Sequence, residues 1–166
     1  MLYIDDTSGQ AETAYLGIEF IKKNALIDPN DPIGFHNGDT VLFQRNFKST
    51  LDCLNNEVDG AIDTFPASSN AYSYVKASNK GFVNEIQEKN VISHMASSGL
   101  YIFKNYDTFI KNYEDTVFLS KEKYISAIYQ RMLSKKLKIF NLYNNDEQKT
   151  LILGTPIEYE RWKLNG

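Results

Sequence analysis

Short β-type runs alternate with amphipathic helical stretches along nearly the whole chain, and that alternation restricts the fold to a layered α/β domain. Ala11, Ala14, Ile18 and Ile21 recur at three- and four-residue spacing, which predicts a helix over 9–24. Gly9 with Glu12 three residues on marks its start. A strand tail is expected over 2–4, short strands over 33–35 and 41–43, and a helix through Leu51 and Leu54. Four β-type runs follow, over 61–65, 72–76, 82–86 and 99–103. Ser78-Asn79-Lys80-Gly81 joins the middle two as a hairpin. Helices are expected over 107–118 and 122–133, the second with Tyr124, Ile125, Ile128, Tyr129 and Met132 inward. Strands over 137–142 and 150–153 precede a last helix. Its start, Thr155-Pro156-Ile157-Glu158, combines a Thr cap, Pro at the first helical position and Glu at the third. Trp162 is expected to pack that helix down. Strands and helices interleave with an inserted hairpin, which predicts a mixed sheet.

Composition narrows the function classes. A chain of 166 residues fits a single domain over 1–166, large enough to bury a proper core. The net charge of −3 gives no electrostatic footprint for nucleic acid and no polybasic anchor for a membrane. A lone cysteine, Cys53, makes neither an internal disulfide nor a zinc cluster, and reads as a small core residue. No apolar run approaches the ~20 residues of a membrane span, and no signal peptide opens the chain. The expected location is the cytoplasm.

Three segments carry candidate chemistry. Ile33-Gly34-Phe35 runs into His36-Asn37-Gly38-Asp39-Thr40, an apolar strand ending in a Gly-Asp pair. That pair is a common turn, but it also sets a carboxylate at the sheet edge where open α/β sheets bind ligands. A carboxylate there suits Mg²⁺, which is held by one or two carboxylates plus substrate phosphates. Gly9 and Gln10 at the first helix start read as an ordinary cap, or as bare backbone and an amide able to read a nucleobase. Glu88-Lys89 is a solvated ion pair, or a pair that orients a sugar hydroxyl and a phosphate. Two histidines far apart, His36 and His94, form no metal-binding spacing.

The order of the motifs is more informative than any one of them. Gly9-Gln10-Ala11-Glu12-Thr13, Asn37-Gly38-Asp39-Thr40, Tyr72-Ser73-Tyr74-Val75, Glu88-Lys89, Ala96-Ser97-Ser98-Gly99-Leu100-Tyr101, Glu122-Lys123-Tyr124-Ile125 and Leu153-Gly154-Thr155-Pro156 follow in that sequence. The series resembles the nucleoside-diphosphate-sugar pyrophosphorylases, the sugar-phosphate nucleotidyltransferases, over nearly the whole chain. The resemblance is greatest to small bacterial members tied to capsule or lipopolysaccharide synthesis. It implies a Rossmann-like domain that transfers NMP from a nucleoside triphosphate to a sugar phosphate or similar small phosphate, with Mg²⁺ and release of pyrophosphate. It also implies roles. Gly9, Gln10 and Gly38 would meet the nucleotide, and Asp39 would hold the metal. Glu88 and Lys89 would bind the sugar and its phosphate, Ser98 and Gly99 would line the sugar pocket, and Glu122 would face sugar hydroxyls. Asp39 and Lys89 would then be the catalytic pair.

Departures from the family pattern qualify that picture. A second metal aspartate is usual where Ile152 stands, so either one carboxylate suffices or a neighbour substitutes. Ser73 replaces the usual hairpin glycine. The family's opening strand and Gly-rich phosphate loop have no counterpart in residues 1–8, which implies an N-terminally truncated domain with open central strand edges. Such edges invite pairing with another chain, including a homo-oligomer. Two other functions fit part of the pattern: an inactive relative that binds a nucleotide or sugar, and a glycosyltransferase of the related nucleotide-sugar-binding fold. For the second, Asn37 weakens the match to an Asp-x-Asp metal motif.

Overall fold

Residues 3–56, 58–146 and 149–165 are described by the computed structural model of the chain. The elements are α1 (Gln10–Lys23), β1 (Ile33–His36), β2 (Thr40–Leu42), α2 (Phe47–Asn56), β3 (Gly60–Pro66), β4 (Ser73–Ala77) and β5 (Val83–Glu88). They continue with β6 (Met95–Phe103), α3 (Tyr106–Glu114), α4 (Ile125–Ser134), β7 (Ile139–Tyr143), β8 (Thr150–Ile152) and α5 (Pro156–Asn165). The main sheet runs β5-β4-β6-β3-β7, with β1 joined to β6, and β2 and β8 form a separate two-stranded sheet. Only the β3–β7 pair is parallel among these ladders, so the sheet is mixed as the alternation predicts.

β6 is the spine. β3 pairs along most of one edge, while β4 takes Met95 and Ala96, and β1 takes Leu100–Phe103, on the other. Every residue from Ala96 to Phe103 is buried. Its side chains alternate between two cores, as the period of two requires. Tyr101 and Phe103 enter the core with α1, α3 and α4, among Ile18, Phe109, Ile128, Tyr129 and Met132. Leu100 and Ile102 enter the opposite core with Leu54 of α2, Val58 and Ala61. Burying each large apolar side chain contributes about 1.5–3 kcal/mol. Tyr129 is buried without polar cost because its hydroxyl bonds the carbonyls of Ala61 and Ile102 at 2.8 and 2.7 Å.

The small β2–β8 sheet is fixed to the large one by Arg45. Its guanidinium bonds Thr150 of β8 and Asp63 of β3. β1 has no ladder partner besides β6 among the described residues.

Several expectations need correction. Tyr3 and Ile4 form no strand and are exposed, and Leu2 lies outside the described residues. β6 starts four residues earlier than expected, because its buried serines find hydrogen-bond partners: Ser97 Oγ accepts from Gly99 N at 3.1 Å, and Ser98 Oγ donates to Asp63 O at 3.4 Å. α4 starts at Ile125, and Tyr124 is its extended N-cap residue and not part of the inward face. Trp162 does not pack α5 down: it is 45% exposed and its ring lies against Tyr159 at 5.8 Å. The backbone of Cys53 lies in α2, and its side chain is outside the described residues. The hairpin stands, with Gly81 N bonding Ser78 O at 2.9 Å.

Candidate functional site

A cleft of about 450 Å³ opens where seven chain segments meet. It collects Gln10 from α1, Asp39 from the β1–β2 turn, Glu88 and Lys89 from the end of β5, Ser98 and Gly99 from β6, and Glu122 before α4. Seven of the residues predicted from sequence therefore share one wall system. Gly9 and Gly38 do not reach this cleft. They line a neighbouring cavity of about 530 Å³ that shares Gln10 and Asn37 with it.

Asn37 divides the two spaces. Its side-chain oxygen accepts from Gln10 Nε2 at 3.2 Å, and its backbone N–H donates to Gly99 O at 3.1 Å. Gly99 has φ +86°, and a Cβ there would lie 2.5 Å from Asn37 Nδ2. Glycine is required on both counts. Gly9 is also required. A Cβ at Gly9 would lie 2.9 Å from Glu122 Cγ and from Lys123 N and O, so the chain itself leaves no room for a side chain there.

Asp39 is exposed at the cleft, and Thr40 Oγ1 donates to its Oδ1 at 3.2 Å. Its backbone carbonyl accepts from Leu153 N at 2.7 Å, which sets the β8–α5 turn beside it. A Cβ on Gly154 would lie 2.6 Å from Asp39 Oδ2 and 3.9 Å from Glu158 Oε2. The missing side chain thus keeps space open at the Asp39 carboxylate. Glu158 is the nearby acid, but its Oε2 is engaged by Thr155 N and Oγ1 at 2.8 and 2.9 Å, the predicted capping box. Burial, followed by the Glu158 charge, pushes the Tyr72 hydroxyl pKa up. No cluster of three potential metal ligands exists among the described residues. One hard carboxylate with open space fits Mg²⁺ in the mode that leaves most positions to phosphate and water.

The opposite wall holds Glu88 and Lys89. Glu88 Oε2 accepts from Ser126 Oγ at 2.6 Å and from Ser73 Oγ in a short bond. Ser73 Oγ lies 3.4 Å from the buried Tyr101 hydroxyl. Lys89 has φ +53°, and its N–H bonds Tyr72 O at 3.0 Å, extending the β4–β5 pairing by one step. Its ammonium donates to Tyr124 Oη at 2.7 Å, and the Tyr124 hydroxyl donates to Glu122 Oε2. The Tyr124 bond is the main cause that raises the Lys89 pKa above its ordinary 10.5, and Glu122 is the main cause that raises the Tyr124 hydroxyl. Sequence reading missed Tyr124, Ser126 and Ser73 as site residues. The available signal was the two-residue spacing of Glu122 and Tyr124, which extended backbone ahead of a helix sets on one face.

Solved structures of other proteins share this architecture. A nucleoside-diphosphate-sugar pyrophosphorylase from Vibrio cholerae superposes with a TM-score of 0.84 at 26% identity, over 96% of this chain and 66% of that one. The chain has the fold of the sugar nucleotidyltransferases. A second structure with this fold, described as a glucose-1-phosphate thymidylyltransferase from Bacillus anthracis and solved with sucrose, gives 0.73 at 18% identity, over 99% and 64%. The chain spans about two thirds of the length of these sugar-nucleotidyltransferase structures. It matches no protein-family model and no curated protein sequence. Among the described residues no helix is long and apolar enough to cross a membrane.

Proposed function

We propose that the cleft is the acceptor and metal side of a nucleotidyltransferase site. In the reaction an oxygen of the acceptor's phosphate attacks the α-phosphorus of a nucleoside triphosphate. A new P–O bond forms, the bond from the α-phosphorus to the bridging oxygen breaks, and pyrophosphate leaves. The acceptor is a sugar phosphate or similar small phosphate, and the product serves capsule or lipopolysaccharide synthesis. The supporting observation is the convergence of residues from seven separate segments, each singled out by motif order, on one cleft.

Each residue has a role in this reading. Lys89 meets the acceptor's phosphate as a compact, multiply donating cation. Glu88, with Oε2 held by Ser73 and Ser126, turns Oε1 to an acceptor hydroxyl. Glu122, Ser98 and Gly99 line the same acceptor space. Gln10 sits between the two cavities, and Gly9 and Gly38 border the nucleotide side. Asp39 would hold Mg²⁺, which when bound offsets negative charge on the phosphates. Incubation with each common nucleoside triphosphate, Mg²⁺ and a panel of sugar phosphates tests the activity. Pyrophosphate release with one combination supports it, and release with none sinks it.

A second reading rests on a specific observation. Lys89 is the one lysine or arginine lining the cleft among the described residues. A triphosphate carries several negative charges, and a single cation offsets few of them. That balance favours a relative that binds a nucleotide or sugar without transfer. Calorimetric binding with no pyrophosphate release identifies it.

A further inference from the structure

The ammonium of Lys89 belongs to an exposed, rotamer-rich side chain, yet it is tied by a hydrogen bond to a neighbouring side chain. Three features direct it there. The Lys89 backbone is in the left-handed region at φ +53°, where a non-glycine residue persists only if its surroundings hold it. Its N–H is anchored to Tyr72 O at 3.0 Å, which fixes the direction in which the side chain leaves the strand. Its Nζ then meets Tyr124 Oη at 2.7 Å, with the ring centroid 4.8 Å away.

The chain of bonds has one polarity. An ammonium only donates, so Tyr124 must present a lone pair to Lys89. A carboxylate only accepts, so the Tyr124 proton goes to Glu122. Tyr124 sits in extended backbone immediately before α4, whose residue Ser126 also holds Glu88. The start of α4 therefore sets both members of the Glu88-Lys89 pair.

We propose that Tyr124 is a positioning residue that holds the Lys89 ammonium in the cleft, oriented for the phosphate of the acceptor, with Glu122 fixing the direction of the Tyr124 hydroxyl. The proposal rests on the reading of the cleft as an acceptor-phosphate site. A preset cation spares the ligand the cost of ordering a long side chain on binding. Lys89 keeps two further N–H donors for the phosphate while it holds Tyr124.

The test uses the full chain and Tyr124→Phe, which keeps the ring and removes the hydroxyl. The first readout needs no ligand: NMR titration of the Lys89 side chain. Tyr124→Phe is expected to lower the Lys89 pKa toward its ordinary value, and an unchanged titration overturns the proposal. The second readout is binding of α-D-glucose 1-phosphate as probe in a cycle of Tyr124→Phe, Lys89→Met and the double variant. The expected loss is roughly five- to tenfold for Tyr124→Phe alone, with no further loss in the Lys89→Met background. An equal loss in both backgrounds overturns the proposal, because Tyr124 would then act by its own contact. If Lys89→Met binds the probe as well as the native chain, or if the native chain binds none, the acceptor-phosphate reading fails and the proposal fails with it. The titration result still separates that failure from a misplaced Lys89.

Discussion

Arg45 grips Asp63 through two parallel bonds, Nε to Oδ2 at 2.8 Å and Nη2 to Oδ1 at 3.0 Å, with only 7% and 2% of the two side chains exposed. Bidentate pairing of this kind satisfies both charges where little of either side chain meets water. Removing one partner leaves the other charge buried alone, which costs about 3–5 kcal/mol. Arg45→Met is therefore expected to lower unfolding stability by about that amount. Urea denaturation checks it. A loss under about 1 kcal/mol would mark the pair as no better than an exposed one.

Gly99 combines φ +86° with a contact to Asn37 that has no room for a Cβ. Gly99→Ala adds backbone strain of about 1–3 kcal/mol. It also displaces Asn37 and breaks the bond to Gln10. Thermal unfolding should show the strain, and nucleotide binding should weaken along with it. Native-like nucleotide affinity in a folded Gly99→Ala chain would detach Asn37 and Gln10 from the nucleotide side.

Glu12 is paired with Lys123 at 2.6 Å and also accepts from Ser8 N. The Lys123 bond is the largest cause that holds its carboxyl pKa at about 2, below the ordinary 4.5. A lowered carboxyl pKa stabilises the fold fully above pH 4.5, and the contribution is lost as pH falls from 4.5 toward about 2. The raised Lys123 pKa has the opposite sense: its contribution is present below its ordinary 10.5 and fades as pH rises through the folded value. Glu12→Gln should flatten the acid limb of the stability profile between those two values. An acid limb of unchanged slope would refute the assignment.

Ile152 faces Thr40 across the β2–β8 ladder and lines the cleft with Asp39. Ile152→Asp places a second carboxylate there, and divalent affinity rises with ligand charge. Mn²⁺ titration followed by electron paramagnetic resonance should show several-fold tighter binding than in the native chain. Unchanged affinity would remove Asp39 from the metal reading.

Most of the architecture was legible because period and turn chemistry are local. α1 shows its buried stripe at Ala11 and Ile18, and the hairpin shows its Ser78–Gly81 turn. What was not legible depends on partners distant in sequence. The first half of β6 lies outside the β-type run expected over 99–103, yet Ala96-Ser97-Ser98 is buried, with Ser98 Oγ bonding Asp63 O at 3.4 Å. Tyr124 fits a helical apolar stripe by spacing, and only the extended backbone at the α4 entrance turns it to the cleft. The partner of Arg45 is 18 residues away on β3, and no local pattern announces a pair at that distance. Gly9 stands out in the sequence, but the 122–123 segment that leaves no room for a Cβ there is more than a hundred residues away and no local pattern announces it.

Arg45 has a consequence beyond its ion pair. The cleft is bounded on one side by the large sheet and on the other by Ile152, Gly154, Thr155 and Glu158, which ride on the small sheet and the turn that follows it. The same guanidinium that grips Asp63 also binds Thr150 Oγ1 at 2.7 Å and Lys149 O at 3.1 Å. It works as the pivot pin of a jaw: the gap between Asp39 and Gly154 on one side and Glu88 and Lys89 on the other is gauged by an arginine that lines neither.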